Sequence, residues 1–399
     1  MTESPVPEPD LARGAEEVLP EGRLAQQLSK GDPLRVKFGI DPTAPDIHLG
    51  HVVLLNKLAQ FQAGGHTVVL IIGDYTARVG DPSGRDSRRP VLTPAEIDAN
   101  AATFQDQAFK VLDRDRTEVR FNSDWLDMPA QDLFQLVGKA TVARLLERED
   151  FTKRMKQDQP ISALELLYPI LQGFDSVQVR SDVELGGTDQ KFNLLFARDI
   201  QRAYEVPEQS ILTMPILPGT DGKERMSKSA GNYVGVTDPP EEIFGKVMSI
   251  PDEVMGTYYE LVLGEEAPES SPVEAKRTLA RGIVERFHDG AAAGAAESHF
   301  DRVHVSHGIP DGVEQIDLDS IDGIQVKNGL DTEIHLPLLL SGAFGISTSE
   351  ARRLLQQGGV KLDGEPVPPE PLDVPLRDLA GRVLQAGKRR FKAIPAPPG

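Results

Sequence analysis

Leu34-Arg35-Val36-Lys37-Phe38-Gly39-Ile40-Asp41-Pro42-Thr43-Ala44-Pro45-Asp46-Ile47-His48-Leu49-Gly50-His51 is the stretch whose reading decides the fold. Leu34 to Phe38 is a short apolar run that predicts a strand, and Val52 to Phe61 carries apolar residues at helical spacing. His48 and His51 therefore stand at a strand–loop–helix junction, where unpaired backbone N–H groups and the helix dipole favour an anion such as phosphate. Side chains three residues apart share a helix face, so both rings can reach one bound group. Taken alone, the pair reads more readily as two polar residues in a first helical turn than as a site. A metal pair is disfavoured, because cysteine is absent and no nearby acidic residue has ligand spacing.

Working outward, the chain alternates short apolar runs with longer helical patterns from residue 34 to about 235. Val68-Val69-Leu70-Ile71-Ile72 reads as a buried strand and is too short to span a membrane. Thr93-Pro94-Ala95-Glu96 opens a helical stretch to Leu112, with a capping threonine, a proline at the first position and a glutamate at the third. Val119-Arg120-Phe121 then leads into Asn122-Ser123-Asp124-Trp125. This rhythm predicts an α/β fold, a Rossmann-like parallel sheet wound with helices. Ligands of such sheets bind beyond the carboxyl ends of the strands, so the loops after Phe38, Ile72 and Phe121 should converge on one pocket. From Asp238 the composition turns helical, acidic and Ala-rich, and from His335 it changes again to shorter elements with a basic tail.

At 399 residues the chain has room for two or three domains. A formal net charge of -19 argues against indiscriminate nucleic-acid binding, though not against a local basic patch. The absence of cysteine removes disulfides, thiolate nucleophiles and Cys-ligated zinc together. Met1 to Gly22 shows no basic segment followed by an apolar one, so a soluble, cytoplasmic protein without a secretory signal is expected.

The second informative stretch is Arg225-Met226-Ser227-Lys228-Ser229, approached through Pro218-Gly219-Thr220-Asp221-Gly222-Lys223. The approach predicts a turn and a mobile loop. Ammonium groups, hydroxyls and backbone N–H groups on such a loop suit a triphosphate, whereas an isolated loop of this kind would read as solvated and basic. No GxxxxGK[ST] sequence is present to support a P-loop.

Together, His48-Leu49-Gly50-His51 and Arg225-Met226-Ser227-Lys228-Ser229 resemble the HIGH and KMSKS signatures of class I aminoacyl-tRNA synthetases. Further blocks narrow the resemblance to the bacterial tyrosyl-tRNA synthetase family. These are Phe38 to Ala44, Gly80-Asp81-Pro82-Ser83-Gly84, Tyr168-Pro169-Ile170-Leu171-Gln172-Gly173-Phe174-Asp175 and Gly186 to Asn193. The resemblance runs from Leu34 to the C-terminus, and the order of the blocks makes it specific.

The resemblance implies activation of L-tyrosine by ATP, with Mg²⁺ and no bound organic cofactor, followed by transfer of the tyrosyl group to tRNA(Tyr). It implies that His48, His51, Thr43 and Lys228 act on the phosphates. Gly50, Asp189, Arg225, Ser227 and Ser229 would hold ATP, with Gly50 admitting the adenosine ring close to the backbone and Asp189 on the ribose. Asp41, Asp81, Tyr168, Gln172 and Gln190 match tyrosine-binding positions, and Asp175 matches the acceptor for the phenol. No metal-ligating set is implied, since Mg²⁺ would be held by substrate phosphates and water. Gln172 and Asp175 fall four and seven residues beyond Tyr168, on one helical face.

Three positions depart from the pattern. Lys37 stands where many relatives place a phenol-contacting tyrosine, and it can pair with Asp175 or Asp41 or point to solvent. Glu184 replaces a common glutamine and brings a further negative charge toward the ammonium site. Arg225 replaces the first lysine of the KMSKS pattern, keeping charge but changing geometry.

From Ser341 onward there are nine Lys or Arg against six Asp or Glu. Ser349 to Leu355 reads as a capped helix bearing Arg352 and Arg353, followed by a strand and turn at Gly358 to Gly364. Gly387-Lys388-Arg389-Arg390-Phe391-Lys392 packs basic residues around one aromatic. This resembles an S4-type module, with Arg352, Arg353, Lys388, Arg389 and Arg390 as candidate RNA contacts; the other reading is a solvated basic tail. The expected organisation is an N-terminal extension (1–33), a catalytic domain (34–235) with a dimer-forming insertion near 125–165, a helical anticodon-side domain (236–330) and the S4-like domain (335–399). A homodimer without membrane attachment is implied. Rival readings are a tryptophan-activating relative, a simpler HxGH nucleotidylyltransferase, and a non-catalytic RNA-binding protein on the same scaffold.

Overall fold

The computed structural model describes residues 10–43, 46–81, 93–305, 313–324, 326, 329–387 and 390–396. The chain divides into two units, Met1–Phe287 and His288–Gly399. In chain order the first contains β1 (Glu17–Leu19), β2 (Arg35–Ile40), α1 (Leu49–Ala63), β3 (Thr67–Ile72), α2 (Pro94–Ala108), β4 (Thr117–Phe121), α3 (Ala163–Gln178), β5 (Val183–Gly187), α4 (Lys191–Ala203) and β6 (Ser210–Met214).

These strands form one sheet in the order β1-β6-β5-β2-β3-β4. β2 to β6 are parallel, whereas β1 runs antiparallel to β6. The chain winds from β2 through β3 to β4, then returns to the other side of β2 as β5 and β6. The strand order thus reverses between β2 and β5, where an open α/β sheet forms its ligand crevice. β2 is registered against β3 from Arg35 to Ile40, but against β5 only at Val36↔Val183 and Lys37↔Glu184. The two strands part just beyond Lys37 and Glu184, and the crevice begins there. Val68 to Ile72 are fully buried, as expected for a parallel strand covered on both faces.

Local chemistry sets the helix starts. Thr93 caps α2, its hydroxyl accepting from Glu96 N while the Glu96 carboxylate accepts from Thr93 N at 2.8 Å. α1 begins directly after an extended His48, so both histidines flank the first turn. Two further helices of this unit, α5 (Pro240–Met248) and α6 (Pro272–Phe287), bury Ile243, Phe244 and Val247 and Leu279 and Ile283. Residues 17–19, read from sequence only as part of an N-terminal extension, add an antiparallel edge strand to β6. Three residues are too few to show a period-2 pattern; pairing with the open edge of β6 makes them a strand.

The second unit contains α7 (Gly290–Phe300), β7 (Glu333–His335), α8 (Leu336–Phe344), α9 (Thr348–Gln356), β8 (Val360–Leu362), β9 (Glu365–Pro366), β10 (Asp373–Pro375), β11 (Val383–Ala386) and β12 (Arg390–Ala393). β12-β11-β8-β9 form one sheet, and β7 pairs with β10. Leu339, Leu340, Leu355, Val360 and Leu384 share a core with Ile316, Ile321 and Ile334, so this core reaches well upstream of residue 335. The cap of α9 is Ser347, whose hydroxyl accepts from Glu350 N at 3.1 Å, rather than the expected Ser349. Ser347 is the last extended residue, and Ser349 already lies in the first turn. Among the described residues no helix is long and apolar enough to cross a membrane.

Candidate active site

The loops following β2, β3, β4 and β5 meet at one cavity of about 760 Å³. Its walls include Asp41, Thr43, His48, Gly50, His51, Asp81, Tyr168, Gln172, Asp175, Asp189, Gln190, Arg225, Ser227, Lys228 and Ser229. Every sequence-nominated residue for amino acid, nucleotide and phosphate therefore lines the same space. Arg352, Arg353 and Arg390 belong to the second unit and are exposed there. Lys388 and Arg389 lie outside the described residues, as do Ala44 and Pro82 to Gly84 of the quoted blocks.

One side of the cavity is a network of buried polar groups. The Tyr168 hydroxyl donates to Asp41 Oδ2 at 2.9 Å, and Thr76 Oγ1 donates to Asp41 Oδ1 at 2.7 Å. A Cβ on Gly73 would stand 2.1 Å from Asp41 Oδ1, so only glycine lets this carboxylate pack against the end of β3. Burial pushes the Asp41 carboxyl up to about 7, with the Thr76 hydrogen bond opposing and Asp81 reinforcing the rise. Burial and the neighbouring Asp41 raise the Tyr168 phenol well above its ordinary value, so it remains a donor.

Asp175 accepts from Trp125 Nε1 at 2.8 Å and from Asn122 Nδ2 at 3.3 Å. Burial raises its carboxyl to about 6, opposed first by the charge of Lys37. Gln190 Nε2 donates to Asp81 Oδ2 at 2.7 Å, and Asn193 Nδ2 donates to Gln190 Oε1 at 3.1 Å. Gln172 directs its amide N–H to Glu184 Oε1 at 3.1 Å, which leaves its buried Oε1 without a partner.

Lys37 takes none of the three courses open from sequence. It pairs with Glu184 at 2.8 Å, wholly buried, and the Glu184 charge is thereby compensated. β2 and β5 bring the two side chains into register, a cross-strand proximity with no local sequence signal.

On the nucleotide side the His48 and His51 rings lie with centroids 3.9 Å apart. His51 Nδ1 accepts from His48 N at 3.2 Å, and the edge of His51 meets Phe104 at 6.0 Å. His48 Nδ1 is buried with no hydrogen-bond partner. Burial lowers His48 to about 2 and His51 to about 4, helped by the other ring for His48 and by Lys228 for both, so both rings are neutral at pH 7. A Cβ on Gly50 would lie 3.0 Å from the His48 ring, so the glycine first makes room for the histidine, a nearer reason than an approaching adenosine.

The Arg225–Ser229 loop is braced by Asn232, whose Oδ1 accepts from Ser227 N at 2.9 Å while Nδ2 donates to Asp221 Oδ2 at 2.6 Å and Arg225 O at 3.2 Å. Lys228 pairs with Asp46 and lies 5.6 Å from the Tyr233 ring centroid. Arg225 Nη1 lies 3.0 Å from Asp189 Oδ2. Burial raises the Asp189 carboxyl, with Arg225 opposing. Both cations therefore rest on carboxylates at the rim of the cavity. Sequence reasoning missed Thr76, Asn122, Trp125 and Asp46 as site residues. Asn122 and Trp125 carried a usable signal, because they directly follow the apolar run of β4.

Residues 29–304 match the family model described as class I tRNA synthetases (W and Y). The chain is 48% identical to the tyrosine–tRNA ligase of Moorella thermoacetica, the alignment covering 96% of this chain and 94% of that one. It is 47% identical to the tyrosine–tRNA ligase of Thermotoga maritima, covering 96% of each. The fold is also that of a tyrosyl-tRNA synthetase from Archaeoglobus fulgidus solved with L-tyrosine, with a TM-score of 0.59 at 24% identity over 71% of this chain and 97% of that chain. With one cavity holding both signature segments and close relatives along nearly its whole length, the chain belongs to the bacterial tyrosyl-tRNA synthetase family of class I aminoacyl-tRNA synthetases.

Proposed function

We propose that this cavity activates L-tyrosine with ATP and then transfers the tyrosyl group to the 3′ end of tRNA(Tyr). In the first step a tyrosine carboxylate oxygen attacks the α-phosphorus. A P–O bond forms to give tyrosyl-adenylate, and the bond to the bridging oxygen breaks to release pyrophosphate. In the second, a hydroxyl of the terminal ribose attacks the acyl carbon, AMP leaves, and the hydroxyl proton is released. No protein nucleophile is needed, so the residues act by positioning and by stabilising phosphate charge.

The observation that carries this reading is that one cavity is lined both by Asp175 with the Asp41–Tyr168–Gln172 network and by His48, His51 and Lys228. Asp175, held by Trp125 and Asn122, keeps lone pairs for a phenol hydroxyl. The unpartnered Gln172 Oε1, with Asp81 and Tyr168, suits the ammonium group. The unpartnered His48 Nδ1, with His51 and Thr43, suits the phosphates, and Asp189 suits the ribose. Lys228, Ser227 and Ser229 would hold the departing pyrophosphate and Arg225 would assist. Mg²⁺ would arrive on the nucleotide, held by phosphates and water. The tryptophan reading is not favoured, because the near-full-length relatives are tyrosine–tRNA ligases.

The second unit suits tRNA through an S4-like module, with exposed Arg352, Arg353 and Arg390 as phosphate contacts. The helical stretch 236–330 would serve the anticodon side. Tyrosine should support ATP–pyrophosphate exchange where tryptophan and phenylalanine do not; exchange with none of the three would sink the activity. Arg352→Glu with Arg353→Glu should leave exchange intact and weaken tRNA charging severalfold, and undiminished charging would remove the RNA role.

We also propose a homodimer acting in the cytoplasm. Phe134, Val142, Met155 and Leu164 are large, exposed apolar side chains within the insertion. Sedimentation should give a dimer that Phe134→Glu shifts toward monomer; a monomeric native chain would refute it.

A further inference from the structure

The Lys37–Glu184 pair stands at the last registered position of β2 and β5, where the crevice opens. The ammonium is fully buried and Glu184 is 1% exposed. Besides Glu184, Lys37 Nζ donates to Gln172 O at 2.9 Å and Ser176 Oγ at 2.7 Å, so its three N–H groups are all used. Glu184 is equally engaged. Its Oε1 accepts from Gln172 Nε2, and its Oε2 accepts from Ser176 Oγ at 3.1 Å and from Gln209 Nε2. A buried ion pair is seldom a better stabiliser than a well-packed apolar pair. Stability alone therefore gives no reason for two charges at this place.

Position supplies a reason. Gln172 and Ser176 straddle Asp175 on α3, so the Lys37 ammonium grips the backbone and side chain on either side of that carboxylate. The ionisable groups facing Asp175 are Lys37 on β2, Glu184 on β5, Asp41 in the loop after β2 and Tyr168 on α3. Lys37 is the cation in that set. We infer that Lys37 is a positioning residue for tyrosine recognition: clamped on Gln172 and Ser176, its ammonium fixes the segment that carries Asp175 and supplies the positive charge facing it. The inference rests on Asp175 being the phenol acceptor. It also accounts for a lysine where many relatives place a second phenol-contacting side chain, since the cation acts through Asp175 rather than on the substrate. The influence of Lys37 on Asp175 opposes the rise caused by burial, in keeping with this geometry.

The test is the pH profile of kcat/KM for tyrosine divided by that for phenylalanine in pyrophosphate exchange. The ratio cancels Asp41, Tyr168 and the histidines, which serve both substrates alike. Lys37→Met combined with Glu184→Gln removes both charges while leaving no unpaired buried ion. Its midpoint should move up, by less than the roughly one pH unit expected for losing a nearby opposite charge alone, because the weaker opposing influence of Glu184 is lost with it. Glu184→Gln alone keeps the cation and removes an anion, so its midpoint should move down. Mere loss of packing would not give opposite shifts. Midpoints unchanged in both variants, with Asp175→Asn still narrowing the preference for tyrosine, overturn the role of Lys37. A preference undiminished in Asp175→Asn overturns the pocket assignment and the inference with it.

Discussion

Asp175→Asn should lower kcat/KM for tyrosine in pyrophosphate exchange by about ten- to a hundredfold, the loss of one charge-assisted hydrogen bond of about 1.5–3 kcal/mol. The KM for ATP should stay within about twofold, since Asp175 belongs to the amino-acid side of the cavity. The carboxylate accepts from Trp125 and Asn122 and has room for a third donor, which the phenol would supply. An amide of the same shape offers one oxygen and an NH₂ group, which would face either Trp125 Nε1 or the phenol as a second donor. Phenylalanine lacks the hydroxyl, so its use should change little and the preference should narrow.

The same group sets a pH dependence. Its carboxyl is raised to about 6, so the carboxylate is present above that pH and is protonated below it. The tyrosine-to-phenylalanine ratio should therefore be highest above pH 7 and fall as the pH drops through about 6. A ratio that is flat between pH 5 and 8 would exclude Asp175 as the phenol acceptor.

Lys228→Ala should slow adenylate formation by about 10²–10³, the usual effect of losing one preorganised group that stabilises transition-state charge. Tyrosine affinity should be unaffected. Lys228 rests on Asp46, only two residues before His48, while Ser227 N is fixed by Asn232. The ammonium is thus held near the two neutral histidines, where phosphate charge would develop. On binding ATP it would exchange one carboxylate for the leaving pyrophosphate. Single-turnover formation of tyrosyl-adenylate measures the effect. An unchanged rate would show that the loop lysine is a surface cation after all.

Much of this site was legible in the chain because its blocks are local. Each of the segments around His48, Tyr168, Gly186 and Lys228 carries several functional groups in a few residues; the first three lie at a strand end, a helix start or on one helical face, and the last lies in a loop. The unbroken apolar run of Val68 to Ile72 and the capping of α2 by Thr93 were equally readable, since each depends on residues within one strand or one turn. The misses have a common cause. Glu17–Leu19 became a strand only by pairing with β6, Ser347 displaced Ser349 as a cap through backbone conformation, and Asn122 and Trp125 acquired a role only when β4 brought them beside Asp175.

The sequence by itself therefore determined the class of fold and the order of its elements through short-range spacing, and named most of the residues around the cavity through the family resemblance that its local blocks carry. Tertiary structure decided which charges meet. Lys37 and Glu184 are 147 positions apart and Asp46 and Lys228 are 182 apart, and no pattern along the chain pairs them. Parallel strands do: the register of β2 with β5 places the first pair at the point where the crevice opens. In a buried site, where an unmatched ion is costly, that pairing gives Lys37 its role.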